Sequence, residues 1–167
     1  MASNNVSVID TAINNVTATV DGLNNPNGVA VTPDGSKVYV ANQGNNNVSV
    51  IDTVINSVTS TVNIGTTPFG IVVNPAGTRV YVTNGLINNV SIIDTVTNNV
   101  TARVPVGTTP YGVAVNKAGT KVYVANHGSN NVSVIDTATN NVTVTVTVGI
   151  DPNGVTVTPD GSNVCGK

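Results

Sequence analysis

The chain has no Trp and no Glu, and only one each of Cys, His, Phe and Met among its 167 residues. Each scarcity removes a class of function. A single cysteine, Cys165, excludes an internal disulfide framework and a cysteine-based zinc site. A single histidine, His127, leaves little for nucleophilic catalysis, which needs a base beside the nucleophile. Only 8% of residues are charged, the net charge is −2, and the six basic residues are scattered. Nucleic acid and anionic membranes recruit clustered Lys and Arg, so neither is an expected partner. No apolar run approaches the length of about 18 residues that would span a bilayer. The opening residues, "MASNNVSVID", do not read as a secretory signal. Good helix formers are rare as well.

Asn, Val and Thr fill the space. Val and Thr are β-branched and favour pleated strands. Asn favours turns, because it tolerates left-handed backbone and bonds its own chain. The expectation is an all-β fold with many turns.

The order is periodic. "VSVID" starts at Val6, Val48 and Val132, and "VSIID" at Val90, a constant step of 42 residues. Pro26, Pro68, Pro110 and Pro152 keep the same step, as do Gly28, Gly70, Gly112 and Gly154. Each unit holds four strand-like runs, here A to D, separated by turn residues. Residues 67–108 show them as "GIVV", "RVYVTN", "NVSIID" and "NVTARVPV". Pro105 in D removes a ladder donor, which places D at a sheet edge. Four short antiparallel strands in each 42-residue unit are the pattern of a β-propeller blade. One such sheet cannot bury both its apolar faces alone, so units must stack. A β-solenoid with two coils per unit is the alternative, disfavoured because the half-units differ.

Residues 75–84, "PAGTRVYVTN", and the "YVAN" strings at 39–42 and 123–126 resemble the YVTN family of β-propeller repeats. The resemblance covers essentially the whole chain. It implies a propeller, and the cell-surface and surface-layer setting in which that family is often found. It says little about ligands, since one fold carries many functions.

The register divides the chain, read as one propeller domain over 1–167, into complete blades at 25–66, 67–108 and 109–150. Residues 1–24 hold only strands C and D, and residues 151–167 only A and a damaged B. A split blade built from the two flanks is therefore expected. The blades are filled by small residues, which suit nearly face-to-face sheets rather than the wide wedges of a four-blade ring. Two chains sharing one eight-blade ring is the more comfortable closure. After Val164 the register calls for Tyr-Val-Ala-Asn, but the chain reads Cys-Gly-Lys. A two-base skip in one coding of the expected string produces that tail, so it reads as an out-of-frame strand B.

No catalytic, cofactor or metal constellation emerges. Asp10, Asp52, Asp94 and Asp136 recur at the C–D turn, and Asp34 and Asp160 in "TPDG" turns, so turn chemistry explains both sets. Asp21 and Asp151 stand apart. His127, in the loop after strand B, has Gln43 and Gly85 as its equivalents and reads as a solvated loop residue. Asn-x-Ser/Thr sequons recur at Asn5, Asn15, Asn47, Asn89, Asn99, Asn131 and Asn141, where the turns need Asn in any case. One recurring position looks like a contact surface: Asn27, Phe69, Tyr111 and Asn153, each just before the Gly that opens strand A. These would ring one mouth of the channel. The expected function is a non-catalytic structural or protein-interaction propeller. A glycan-binding propeller, or the remnant of a propeller enzyme, is the alternative. Expected partners are a second copy, other surface proteins or glycans.

Overall fold

The computed structural model describes residues 3–166. Its sheets are simple antiparallel meanders. A two-stranded sheet comes first, β1 (Val6–Asp10) and β2 (Asn15–Val20). Three four-stranded sheets follow. The first is β3 (Pro26–Val31), β4 (Lys37–Asn42), β5 (Asn47–Asp52) and β6 (Ser57–Asn63). The second is β7 (Pro68–Val73), β8 (Arg79–Asn84), β9 (Asn89–Asp94) and β10 (Val100–Pro105). The third is β11 (Pro110–Val115), β12 (Lys121–Asn126), β13 (Asn131–Asp136) and β14 (Asn141–Thr147). A last two-stranded sheet, β15 (Val155–Val157) and β16 (Val164–Gly166), ends the arc. Four-stranded sheets stacked through their A strands are propeller blades, not solenoid coils. Among the described residues the only helical element is a single 3-10 turn, His127–Ser129.

Turn residues act as their chemistry demands. Asp52 Oδ1 accepts the N–H groups of Val54 and Ile55 at 2.8 and 3.1 Å, and Asp10, Asp94 and Asp136 do the same in their units. Asn14, Asn56, Asn98 and Asn140 then take φ values of 50–56°, where Asn is tolerated and β-branched residues are strained. A second Asn set ties one unit to the next. The side-chain oxygens of Asn46, Asn88 and Asn130 accept the N–H groups of Thr67, Thr109 and Asp151, each at 2.9 Å. The high Asn content is therefore structural at both places.

The core lies between sheets. Tyr39, Val48 and Val62 of the first blade pack with Ile71, Val80 and Ile93 of the second. Val90 and Val104 of the second pack with Val122, Val124 and Ile135 of the third. The β1–β2 pair covers the first blade through Val20 and Leu23 against Val40 and Ile51. Polar contacts repeat the stacking. Lys37 Nζ donates to Thr95 O and Arg79 Nη1 to Thr137 O, both at 2.7 Å. The Tyr39 hydroxyl donates to Asn98 Oδ1 at 3.1 Å. Burial, then the Asp94 and Asp34 charges, push that hydroxyl up to about 12, so it remains a donor at any physiological pH.

The split blade is not assembled within one chain. The β1–β2 pair packs on the first blade, and β15 lies beside β11 and β12 of the third, as separate sheets at opposite ends of an arc. Neither β1 nor β2 pairs with β15 or β16.

The channel mouth as a candidate functional site

Strand A is the innermost strand of each sheet, and neighbouring A strands approach closely through Gly. A Cβ on Gly112 would lie 2.5 Å from Asn153 O, and one on Gly28 or Gly70 would press into the carbonyl of Phe69 or Tyr111. Only Gly permits this approach. Gly112 N–H donates to Asn153 O at 2.9 Å, and the Thr83 hydroxyl donates to Tyr111 O at 2.6 Å. These contacts hold the residue before each Gly at the axis.

All four expected mouth residues line one shallow concavity of about 290 Å³ together with those glycines. Asn27 and Asn153 are exposed, and Phe69 and Tyr111 half-buried. The two rings stack, with centroids 3.9 Å apart and planes at 15°. Phe69 fits because Gly85 lies beneath it; a Cβ there would strike the ring. Tyr111 instead meets His127, the equivalent of Gly85, at 5.6 Å and 51°. His127 Nε2 lies 3.9 Å from Asp151 Oδ1. The His127 side chain is 36% exposed, and its Nδ1 is buried without a hydrogen-bond partner. The expectation of a solvated loop residue is corrected: His127 packs against Tyr111 at the mouth. Asp151, which looked isolated, is its neighbour. The A–B register pairs Pro110 with Asn126 and so sets His127 opposite Thr109, two residues before Tyr111.

The mouth rests on strained backbone. Thr67 and Thr109 have φ of 56° and 51°, and each precedes a proline. Asn25 and Asp151 adopt the same conformation at less cost. Three of these four carbonyls are repaid by a donor: Gln43, Gly85 and His127 N–H groups reach Asn25, Thr67 and Thr109 O at 2.9–3.1 Å.

Other candidate positions divide by environment. Asn47, Asn89 and Asn131 are half-buried, and their side-chain oxygens accept from Asn42, Asn84 and Asn126 Nδ2. Asn15, Asn99 and Asn141, beside the C–D turns, are exposed. Hydrogen bonds to Thr97 and Thr139 hold the Asp94 and Asp136 carboxyls below the usual range. Bonds from Thr32 and Ser36 bring Asp34 to about 2, and bonds from Thr158 and Ser162 bring Asp160 to about 2. Cys165 is exposed. Among the described residues, no group of three His, Cys or Asp gathers where a metal could be held.

Meander blades stacked on Gly-lined inner strands define a β-propeller repeat protein. The chain belongs to the propeller families described as YNCE-like beta-propeller, matched over residues 71–164, and Lactonase, 7-bladed beta-propeller, matched over residues 4–101. No curated protein matches it. Among solved structures, it resembles a chain of Kuenenia stuttgartiensis hydrazine synthase at 28% identity and a TM-score of 0.91, covering 96% of this chain and 48% of that one. A functionally unknown protein from Desulfotomaculum acetoxidans matches at 21% identity and a TM-score of 0.86, covering 99% of this chain and 56% of that one. The Cps50 (Swd1) propeller domain of Myceliophteria thermophila matches at 14% identity and a TM-score of 0.84, again covering 99% and 56%. The last two likenesses concern the fold alone. The chain spans about half the length of the solved structures it matches.

Proposed function

We propose that this propeller is a non-catalytic interaction module, of the cell-surface type its Tyr-Val-Thr-Asn repeats resemble, and that the channel mouth is its contact surface. One observation carries the reading. The only Phe, and the only Tyr outside the B strands, stack on each other at the mouth, half-exposed, between two exposed Asn side chains. Rigid aromatic area flanked by amides is the composition of a binding hot spot. The carboxylates of Asp34, Asp94, Asp136 and Asp160 support a passive role, because turn N–H and hydroxyl groups hold them ionised.

Retention of the purified protein on cell-envelope fragments of its source tests this. Phe69→Ala with Tyr111→Ala should lower retention about 30-fold or more, the effect of losing an aromatic hot spot. Unchanged retention would remove the mouth from consideration. A glycan is the second reading, since stacked rings beside amides also suit a sugar face. Loss of binding after glycosidase treatment of the fragments would select it. The lactonase name among the matched families makes lactone hydrolysis the catalytic alternative. Turnover that disappears in His127→Ala or Asp151→Asn would overturn the non-catalytic reading.

A further inference from the structure

We propose that Asn99, and with it Asn15 and Asn141, are acceptor sites for N-linked glycan on the outer rim of the propeller. The inference rests on the cell-surface setting proposed above, but not on what the mouth binds.

The Asn-x-Ser/Thr sequons of the chain fall into two slots of the repeat. One starts strand C, at Asn5, Asn47, Asn89 and Asn131, and the other starts strand D, at Asn15, Asn99 and Asn141. The fold uses the first slot and closes it. In the three complete blades strand C is paired on both sides. Asn47, Asn89 and Asn131 are half-buried and accept from Asn42, Asn84 and Asn126 Nδ2. The same Nδ2 groups donate to the buried Ser49, Ser91 and Ser133 hydroxyls. A bulky glycan on those Asn side chains is incompatible with the folded blade.

The second slot has no such task. The left-handed residue of the C–D turn is the preceding one, Asn14, Asn98 or Asn140. In the first blade Asn56 fills that role with a φ of 50°, and Ser57 stands where its counterparts have Asn. The turn is unchanged: Asp52 accepts the N–H groups of Val54 and Ile55 as Asp94 accepts those of Val96 and Thr97. Turn chemistry therefore requires Asn98 and its counterparts, and it does not require Asn99. Asn15, Asn99 and Asn141 are exposed, and so are Thr17, Thr101 and Thr143 two residues on. The ends of the chain do not create the exposure of Asn99, because its blade is covered on both faces.

The backbone of this slot is lightly held. Strand D is the edge of each sheet. Val100 and Ala102 lie opposite Ile93 and Ile92, which leaves Thr101 in a β-bulge, and Thr17 and Thr143 sit in the same bulge of their units. The hydroxyls of Thr17, Thr101 and Thr143 donate to Val8, Ile92 and Val134 O at 3.4, 3.2 and 3.3 Å, long for O–H···O bonds. The hydroxyl that a glycosyltransferase reads is thus weakly engaged, beside an exposed amide. In the transfer, Asn Nδ2 bonds to C1 of a sugar carried on a lipid phosphate. The C1–O bond breaks with its electron pair going to the phosphate, and one amide proton passes to a base of the transferase.

The placement has consequences. In an antiparallel meander the start of D lies at the far end of the sheet from the start of A, where the mouth residues stand. Glycan at Asn99 crowds the rim and leaves the mouth open. It also shields strand D, whose unpaired edge is otherwise a template for pairing with another chain.

Incubation of the folded, purified chain with an oligosaccharyltransferase and a lipid-linked oligosaccharide, followed by peptide mapping in a mass spectrometer, tests the sites. Oligosaccharide is expected on Asn15, Asn99 and Asn141 and not on Asn47, Asn89 or Asn131. No transfer to Asn99, or equal transfer to Asn89, would overturn the proposal. Thr101→Val should abolish transfer to Asn99 while melting stays unchanged; transfer that persists would contradict a sequon site. Ser57→Asn completes the sequon of the first blade and should add one further acceptor. Its failure to do so would show that the slot itself is closed. The intact mass of the protein recovered from the envelope of its source separates this inference from the reading beneath it. Glycan at Asn99 there supports both. An unmodified envelope protein that accepts glycan at Asn99 in vitro would count against the cell-surface setting and not against the acceptor geometry.

Discussion

The blades β7–β10 and β11–β14 are near-copies in sequence, yet only the first is covered on both sides. Val104 and Val146 hold the same place in strand D and are 2% and 46% exposed. Tyr81 is fully buried and Tyr123 half-buried. Their inner-strand glycines do not differ, since Gly70 is pinned against Tyr111 O and Gly112 against Asn153 O; the open glycine is Gly154, beside the last two-stranded sheet. The difference shows where stability resides in such a chain. A blade supplies apolar faces, but burial is supplied by the neighbour, so energy is stored at the contacts between units.

Paired substitutions can break that comparison. The largest effect belongs to Gly70→Val against Gly154→Val. The first drives a side chain into backbone at the axis and should cost about 3 kcal/mol or more in denaturant unfolding; the second should stay within about 0.5 kcal/mol. Equal losses would show that the inner-strand contact is not what holds adjacent blades. Next, Val104→Ala should cost about 2 kcal/mol and Val146→Ala under about 1 kcal/mol, since one leaves a cavity and the other trims a half-exposed surface. A smaller and opposite effect belongs to the strained mouth. Thr67→Asn should stabilise by about 1 kcal/mol by replacing a β-branched residue at positive φ, and Asn25→Thr should lose a similar amount.

The acid limb is the subtlest test. The Asp94 and Asp136 carboxyls are depressed by bonds to Thr97 and Thr139. A depressed folded value contributes stability that is present above the unfolded carboxyl pKa of about 3.9 and is lost as pH falls through the folded value. Asp94→Asn should flatten the fall of melting temperature below about pH 4. An unchanged acid limb would mean that these bonds do not survive in solution.

Much of the architecture was readable because the repeat keeps one step without insertion. Alternating Val and Tyr define each strand, and Asp-Gly and Asn turns mark its limits. The mouth position was readable too, since Asn27, Phe69, Tyr111 and Asn153 share a register slot and vary where their neighbours do not. His127 was misread because its significance lies across a hairpin, not along the chain. The left-handed Thr67 and Thr109 were invisible, since Thr disfavours that region and only the donors reaching their carbonyls sustain it. The separation of the two half-sheets depends on how each sheet stacks on the next, which accumulates over four interfaces and is written in no single residue.

Hydrogen exchange on the chain tests the neighbour-supplied burial most directly. Protection should peak in β8 and β9 and fall toward β1–β2 and β15–β16 at the ends of the arc. A flat profile, with the end sheets as slow as β8 and β9, would mean that each unit is stable by itself and would contradict the account.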